Sequence, residues 1–312
     1  MFDFLFDSNS VRNCARNVPN QAEWDAIRTA WKKGEYKTAW IPWTIGEVIG
    51  TNLASETQPA TDADCEQVAL AVRRFDQLAA RDILIGPRRL IHWSMNRYLG
   101  VDTGSPYEEL HRKSLEAAKS LQGVSQLRIQ RSADQIVVFI RNPQTGDEEG
   151  QTIPTGFVEH VDHRVERWKQ RLTEAEIKTD YAESDVIPKE PLLEFLWKQV
   201  PKSVVAMAKQ AGLSDKSILS FEGKITAEIL MHPFVYGAVA QDWYYILRAL
   251  NVKTGKVLET LGRDLVISNY IPLAKTFVTS DVDFAKLVKD VLPADVINFG
   301  EFKARLLNAA RK

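Results

Sequence analysis

Cysteine, long apolar runs and net charge are all scarce in this sequence, and the first two shortages exclude whole classes of protein. The two cysteines, Cys14 and Cys65, are too few for a disulfide framework or a four-thiolate zinc site, and they suit a reducing compartment. No apolar run approaches the roughly 18 residues that a membrane helix needs. The first ten residues carry Asp3 and Asp7 instead of a basic export signal. We therefore expect a cytoplasmic protein that does not enter a membrane.

The low net charge limits the kind of partner. Forty lysine and arginine residues against 41 aspartate and glutamate residues leave a net charge of −1. No overall field therefore attracts a polyanion, and a nucleic-acid contact would have to be a local patch. Apolar side chains, in contrast, make up 45% of the 312 residues. This share is typical of folded globular proteins, and the length suits one large domain or two small ones.

Both ends of the chain alternate between strand and helix patterns. The apolar run from Phe2 to Phe6 stops at the turn-forming residues that begin with Asp7, which predicts a buried strand. Alternation of this kind predicts an α/β fold with a parallel sheet flanked by helices. Strands are predicted at residues 2–7, 36–43, 276–279 and 296–299. Helices are predicted at residues 23–33 and 281–291, and three more helices are predicted to begin at Thr44, Asp264 and Glu301.

The middle of the chain is mostly helical in pattern. Val68, Val72 and Phe75 recur at spacings of four and three, and similar stripes predict helices at 58–82, 88–98, 107–121, 158–172, 191–211 and 225–250. Pro233 should kink or break the last of these helices. Residues 126–142 favour two short strands, and 143–150 a loop. We therefore predict a discontinuous α/β domain at 1–55 and 222–312, with a mostly helical insertion at 56–221.

Four acidic residues lie where predicted strands end or the next helices begin. They are Asp7, Glu47, Asp264 and Asp281. In parallel α/β sheets this is the edge at which ligands bind. Carboxylates that converge there repel one another unless a hard cation lies between them, and Mg²⁺ or Mn²⁺ prefers such oxygen ligands. The pattern therefore predicts metal-assisted phosphoryl chemistry.

Four short motifs around these acids occur in an order that resembles the PIN-domain nucleases. They cover about residues 1–53 and 255–299, and the spacing of 17 residues from Asp264 to Asp281 also fits the family. The gap of 217 residues from Glu47 to Asp264 is far longer than that of a minimal PIN domain. The motifs are Phe6-Asp7-Ser8-Asn9, similar to the opening D-x-N; Thr44-Ile45-Gly46-Glu47, similar to a glutamate entering a helix; the late helix from Asp264 to Ala274; and Thr279-Ser280-Asp281, similar to T-x-D.

The resemblance implies a Mg²⁺- or Mn²⁺-dependent endonuclease that acts mostly on RNA, through a metal-bound water and without a covalent intermediate. Asp7, Glu47, Asp264 and Asp281 would hold the metals. Asn9 and Thr279 would position those ligands, and Asp283 is the reserve ligand if Asp281 only caps its helix. The family resemblance also suggests a toxin or defence effector with an antitoxin-like or regulatory partner. It leaves the oligomeric state open.

Each acid also has a purely structural interpretation. Glu47 follows Thr44 by three residues, so the two could form a capping box at a helix start. Asp264 and Asp281 could be helix N-terminal residues that the helix dipole favours. Asp7 is the hardest to explain this way, because an acid that ends an apolar strand is expensive to bury.

An arginine-rich stretch in the predicted insertion could bind nucleic acid. Its arginines could attract phosphates, and Trp93 could stack on unpaired bases. The alternative is a solvated helix face with core aromatic residues. The candidate nucleic-acid-binding residues are Arg73, Arg74, Arg88, Arg89, Arg97 and Trp93.

Two other functions remain open from the sequence. The run from Phe4 to Ser10 resembles the nucleophile loop of haloacid-dehalogenase phosphatases, with Asp7 as the nucleophile. That family usually has an aspartate where Asn9 stands, and asparagine cannot act as a general acid. The other alternative is a non-catalytic scaffold that uses the fold to bind protein or RNA.

Overall fold

A computed structural model describes most of the chain, and the statements below concern only the residues it describes. These are residues 2–50, 61–80, 82–98, 100–131, 135–142, 144–154, 161–179, 188–210, 214, 216, 232–250, 265–291 and 294–311. The predicted acid Asp264 lies outside them.

Helices dominate the architecture. Most of the predicted helices are confirmed, with ends that differ by a few residues. The helices are α1 (Ser8–Arg16), α2 (Gln21–Lys33), α3 (Pro42–Gly50), α4 (Asp62–Ala79), α5 (Pro87–Tyr98), α6 (Arg112–Ala117), α7 (Leu121–Ser125), α8 (Val161–Glu174), α9 (Lys189–Gln210), α10 (Pro233–Ala249), α11 (Val282–Val291) and α12 (Phe299–Arg311).

A parallel sheet joins the two ends of the chain. Its order is β1 (Phe2–Phe6), β5 (Ala274–Val278) and β6 (Asp295–Ile297), with β5 in the centre. In the register, Phe6 pairs with Val278 and Val278 with Ile297, so these strands end at one level. The residues that follow them, Asp7, Thr279 and Asn298, therefore lie along one edge of the sheet. The predicted α/β fold with a parallel sheet between helices is confirmed at this level.

Helices cover the sheet through aromatic contacts. Phe4 and Phe6 project from the same face of β1, because they are two residues apart on one strand. Phe302 of α12 contacts both rings at centroid distances of 5.2 and 5.0 Å. Phe75 of α4 meets the Phe6 ring at 5.1 Å. Aromatic pairs in these edge-to-face geometries contribute beyond the area they bury.

The strand predicted at 36–43 does not form, and this segment makes only isolated backbone contacts before α3. Lys37 accepts hydrogen bonds from the backbone amides of Asp3 and Phe4, and Trp40 makes a single parallel bridge with Ile83. The chain then turns into α3 at Pro42. Proline cannot donate to a strand ladder, but its fixed φ suits the first turn of a helix, where the missing N–H costs nothing.

A second, antiparallel sheet has the order β2 (Leu127–Arg131), β3 (Gln135–Arg141) and β4 (Glu148–Pro154). The two predicted strands are confirmed. The predicted loop at 143–150 is shorter than expected, because its last residues begin β4. Within the turn, Gly146 adopts a φ of +78° and its amide donates to the carbonyl of Asn142. The β3 and β4 strands contact α3.

The single helix predicted at 107–121 is also wrong. Tyr107 pairs with Leu84 in an antiparallel bridge, and the amide of Ile85 donates to the carbonyl of Pro106. Helix begins only at α6, and α7 follows as a separate short helix. Pairing with a distant segment therefore overrides the helical spacing here.

The start of the predicted insertion packs directly on the N-terminal part of the chain. Helix α4 lies against α1, and its N-terminus has the capping box of Thr61 and Asp64. The buried side chains of both predicted parts form one continuous cluster. The domain boundaries themselves stay a prediction.

Helices α8, α9 and α10 form a further layer. The Asp242 carboxylate on α10 accepts from Trp168 Nε1 at 3.3 Å and from Ser203 Oγ at 2.6 Å, which links the three helices. Burial raises the pKa of Asp242. Helix α10 begins at Pro233, where a proline costs no hydrogen bond, and residues 217–231 lie outside the described part. Among the described helices, none is long and apolar enough to cross a membrane.

Candidate active site at the edge of the parallel sheet

Asp7 is the anchor of the candidate site. It follows β1 and is the N-cap of α1, where its Oδ1 accepts from the Ser10 amide at 2.6 Å. Its Oδ2 accepts from Thr279 Oγ1 at 2.5 Å and from the Ser280 amide at 3.3 Å. The residue is only 4% exposed. One carboxylate therefore connects the ends of the neighbouring strands β1 and β5.

Burial and hydrogen bonding act on Asp7 in opposite directions. Desolvation raises the pKa of Asp7 and is the larger effect, while the bonds from Thr279, Ser10 and Ser280 lower it. The net direction is upward. Ionisation of Asp7 is therefore less favourable in the folded chain than for an exposed aspartate.

Asp281 extends this connection from Asp7. Thr279 Oγ1 accepts from the Asp281 amide at 3.0 Å while its hydroxyl donates to Asp7. The Asp281 Oδ1 atom accepts from the Phe284 amide at 2.8 Å, so Asp281 also caps α11. The half-buried Asp281 thus has the capping role that the sequence allowed and lies at the predicted edge. Asp283 is exposed in the first turn of α11.

Glu47 lies on α3, but not at its start. The helix begins at Pro42, so Thr44 is inside it, and its hydroxyl donates to the Phe6 carbonyl at 3.4 Å. The capping box predicted for Thr44 and Glu47 is therefore wrong. Thr44 instead ties α3 to the end of β1, which brings the helix that carries Glu47 to the strand end before Asp7.

Arg12 is a residue that sequence reasoning missed. Its side chain is buried, at 7% exposure, and its Nη1 donates to Asn9 Oδ1 at 2.8 Å. Its Nη2 donates to the Glu47 carbonyl at 2.5 Å. Arg12 therefore bridges α1 and α3 between two residues of the predicted motifs. The sequence patterns predict no helix at residues 8–16, so the spacing of three between Asn9 and Arg12 gave no sign that the two side chains share a helix turn.

Asn9 and Asn13 occupy the rim of this edge. Asn9 was predicted to position the acidic ligands, and in the structure its side-chain oxygen instead accepts from Arg12. One turn later, Asn13 Nδ2 donates to Ser280 Oγ at 2.8 Å. Ser280 and Asn9 are exposed. The rim therefore presents amide and hydroxyl groups next to the buried Asp7.

The four predicted acids do not all fall within the described residues. Asp7 and Asp281 follow the neighbouring strands β1 and β5, Glu47 lies on α3, which packs against α1, and Asp264 lies outside the described residues. Among the residues described, no three histidine, cysteine, aspartate or glutamate side chains are grouped so that they could hold a metal ion. Asp7, Glu47 and Asp281 thus do not form a ligand set by themselves.

Arg74 does not fit the predicted nucleic-acid role, and this is a correction. It is 4% exposed, and its Nη1 donates to the carbonyls of Cys14 and Val18 at 2.7 and 2.6 Å. Its guanidinium also lies 5.4 Å from the centre of the Trp24 ring. Sequence spacing alone did not separate it from Arg73, which is exposed and donates to the Lys119 carbonyl at 2.6 Å.

The other candidates of the arginine stretch lie on α5. Trp93 is 9% exposed and donates from Nε1 to the Gly104 carbonyl at 3.1 Å, so it has little surface for stacking on a base. Arg97 is exposed above the Trp93 ring at 5.2 Å. Arg89 is exposed and pairs with Glu108 at 3.0 Å. The side chain of Arg88 lies outside the description.

Comparisons of this chain with family models, curated proteins and solved structures returned no match.

Proposed function

We propose that this chain is a metal-dependent endonuclease that hydrolyses phosphodiester bonds, most readily in RNA. The observation that carries the proposal is the hydrogen-bonded connection from Asp7 through Thr279 to the backbone of Asp281. It joins acids that follow two adjacent parallel strands at the edge where α/β proteins bind ligands. The order of the sequence motifs, which resembles that of PIN-domain nucleases, also supports a metal-dependent nuclease.

The chemistry of the predicted ligands fits a hard divalent cation. All four are carboxylates, the donor type that Mg²⁺ and Mn²⁺ prefer. Asp7, Glu47, Asp264 and Asp281 would hold the cation, and the proposal requires the contribution of Asp264. When bound, the cation would supply an activated water and stabilise the leaving oxygen.

The residues around these acids would orient them. The Ser10 and Ser280 amides and the Thr279 hydroxyl fix both oxygens of Asp7. The Phe284 amide fixes one oxygen of Asp281. Carboxylates held in this way need little reorganisation when a charged substrate arrives, which is how preorganised sites gain rate.

The test is cleavage of labelled single-stranded RNA and DNA with Mg²⁺, with Mn²⁺ and with EDTA. Wild type should cut RNA in either metal and not in EDTA. Asp7→Asn and Asp281→Asn should reduce cleavage by at least about tenfold, since even indirect changes at metal sites cost that much. Asp62→Asn is the matched control, because Asp62 is an exposed acid in the first turn of α4.

Circular dichroism of each variant would show that the fold is intact. Absence of cutting by wild type, or equal cutting by all four proteins, would refute the nuclease proposal. Preference for DNA would correct the substrate and keep the reaction.

A non-catalytic binding scaffold is the second candidate, and one observation favours it. Both oxygens of Asp7 already accept hydrogen bonds from the protein, and the side chain is nearly buried. A scaffold would bind RNA equally well in EDTA and after Asp7→Asn. The same burial disfavours the phosphatase alternative, because Asp7 would have to attack a phosphate. A covalent phosphate on Asp7 would support that alternative.

The proposal also includes an RNA-binding surface, a cellular location and a regulatory partner. Arg73, Arg89 and Arg97 are exposed and would contact the RNA backbone. The site would work in the cytoplasm, and an antitoxin-like or regulatory protein would control it if the chain is a toxin or defence effector.

A further inference from the structure

We propose that Arg12 is a positioning residue of the candidate active site, which holds the helix of Glu47 in register with the turn that carries Asp7. This inference rests on the proposed nuclease function. In the proposed nuclease site, Arg12 would contact neither the substrate nor the metal. It acts through the Glu47 backbone and the Asn9 side chain, to which its two terminal nitrogens donate.

The location of Arg12 is unusual for an arginine. An arginine that is 7% exposed has lost most of its hydration, and this loss is costly unless hydrogen bonds replace the water. Here the replacements come from two different elements. Asn9 lies in the first turn of α1, directly after the Asp7 cap, and Glu47 lies in the last turn of α3.

The bond from Arg12 Nη2 to the Glu47 carbonyl acts on the backbone of α3. The Glu47 carbonyl is part of the backbone of α3, so an interaction with it limits both sliding and rotation of that helix against α1. The direction of the Glu47 side chain follows from the rotation of its helix. Thr44, one turn earlier on α3, donates to the Phe6 carbonyl of β1 at the longer distance of 3.4 Å.

Arginine suits this position better than lysine. Its planar fork presents several donors at fixed angles, so it can reach Asn9 and the Glu47 carbonyl at the same time. A lysine would keep the charge but would replace the fork by one ammonium. Arg12→Lys therefore separates the geometry from the charge, and Arg12→Gln removes both. Arg16→Gln is the matched control, because Arg16 is exposed one turn later on α1.

The first measurement is hydrogen exchange of the peptide that covers α3, by mass spectrometry. Both Arg12 variants should exchange faster there than wild type, at least about threefold, while Arg16→Gln should match wild type. The second measurement is Mn²⁺ affinity by calorimetry, together with the Mn²⁺ concentration that gives half-maximal cleavage. Arg12→Lys should weaken both by about tenfold, because misplaced supporting residues cost that much at metal sites.

The outcomes separate the two proposals. Wild type that does not cleave refutes the nuclease, and with it the role of Arg12 in that site. A cleaving wild type whose Arg12→Lys variant matches it in exchange, Mn²⁺ affinity and cleavage refutes only the role of Arg12. Faster exchange with unchanged Mn²⁺ affinity would show that Arg12 only stabilises the fold, and this also refutes the positioning role.

Discussion

The Thr279 hydroxyl donates a 2.5 Å hydrogen bond to Oδ2 of Asp7, which lies 272 positions earlier in the chain. The two residues follow adjacent parallel strands, and both are buried. A carboxylate and a hydroxyl buried together must satisfy one another, because neither reaches bulk water. This contact makes the two ends of the chain into one site.

Thr279→Val should therefore weaken both fold and function. Valine has the same shape but no donor, so Oδ2 of Asp7 loses its shortest bond. We expect the free energy of unfolding to fall by about 1–3 kcal/mol, as for other buried acceptors that lose a partner. Urea denaturation would measure the change. Thr279→Ser keeps the hydroxyl and is the control, and a Ser variant as unstable as the Val variant would contradict the prediction.

Asp7 should make stability depend on pH. Burial raises its pKa in the folded chain above the ordinary value of 3.8. The folded chain then binds this proton more tightly than the unfolded chain, so the contribution of Asp7 to the free energy of unfolding falls as pH rises above 3.8. The loss is about 1.4 kcal/mol for each unit by which folding raises the pKa.

The comparison of wild type with Asp7→Asn isolates this contribution. Asparagine does not titrate, so wild type should lose stability relative to the variant as pH rises from about 4, until the pH has passed the raised pKa of Asp7 in the folded chain. Urea denaturation at several pH values would measure the difference. A difference that stays constant, or that moves in favour of wild type as pH rises, would show that the pKa of Asp7 is not raised.

Gly237 on α10 should not tolerate a side chain. A Cβ at this position would lie 1.7 Å from Oδ1 of Asn269, which is itself buried. Gly237→Ala should therefore lower the free energy of unfolding by about 1–3 kcal/mol, the usual cost of overpacking, despite the better helix propensity of alanine. Thermal and urea unfolding would measure it.

Two variants test the cause of that loss. Gly86→Ala is the matched control, because a Cβ there meets nothing within 4 Å. Asn269→Ala should remove the clash, so the double variant with Gly237→Ala should recover part of the loss. If Gly237→Ala and Gly86→Ala were equally stable, the close approach of Asn269 would not be present in solution.

Arg74 and Arg73 are neighbours with opposite expected roles. Arg74→Gln should cost about 1.5–3 kcal/mol of stability, because it leaves the carbonyls of Cys14 and Val18 without a charged donor. Arg73→Gln should stay within about 0.5 kcal/mol, as is common for exposed positions. For RNA binding we expect the opposite order. Arg73→Gln should lower the RNA affinity more than Arg74→Gln does, and its RNA affinity should depend less steeply on salt concentration. Equal stability of the two variants would contradict the buried contact.

Local patterns of the sequence predicted many of the regular elements, but not helix α1. The apolar run of β1, the stripes of α2 and α4 and the β-branched residues of β3 each depend on neighbours within a few residues. These patterns have a local physical cause. The apolar side chains of the buried face must recur along the sequence with the period of the helix or strand. The acids at the strand ends could be predicted for the same reason.

Other features depended on distant partners. The residues 36–43 have a strand composition, but Pro42 and the bond from Thr44 to Phe6 turn their end into α3. The polar β4 strand forms because β3 lies beside it. Tyr107 leaves a helical pattern to pair with Leu84.

The sequence by itself determined where the chain buries apolar surface and where acids follow strands, because both are properties of adjacent residues. Only the tertiary structure decided that Thr279 meets Asp7, that Arg12 reaches the Glu47 carbonyl and that Arg74 turns inward. Each of these contacts joins groups that are at least 35 residues apart along the chain. A polar side chain takes whichever partner the packed backbones bring within reach, and no local pattern encodes that choice.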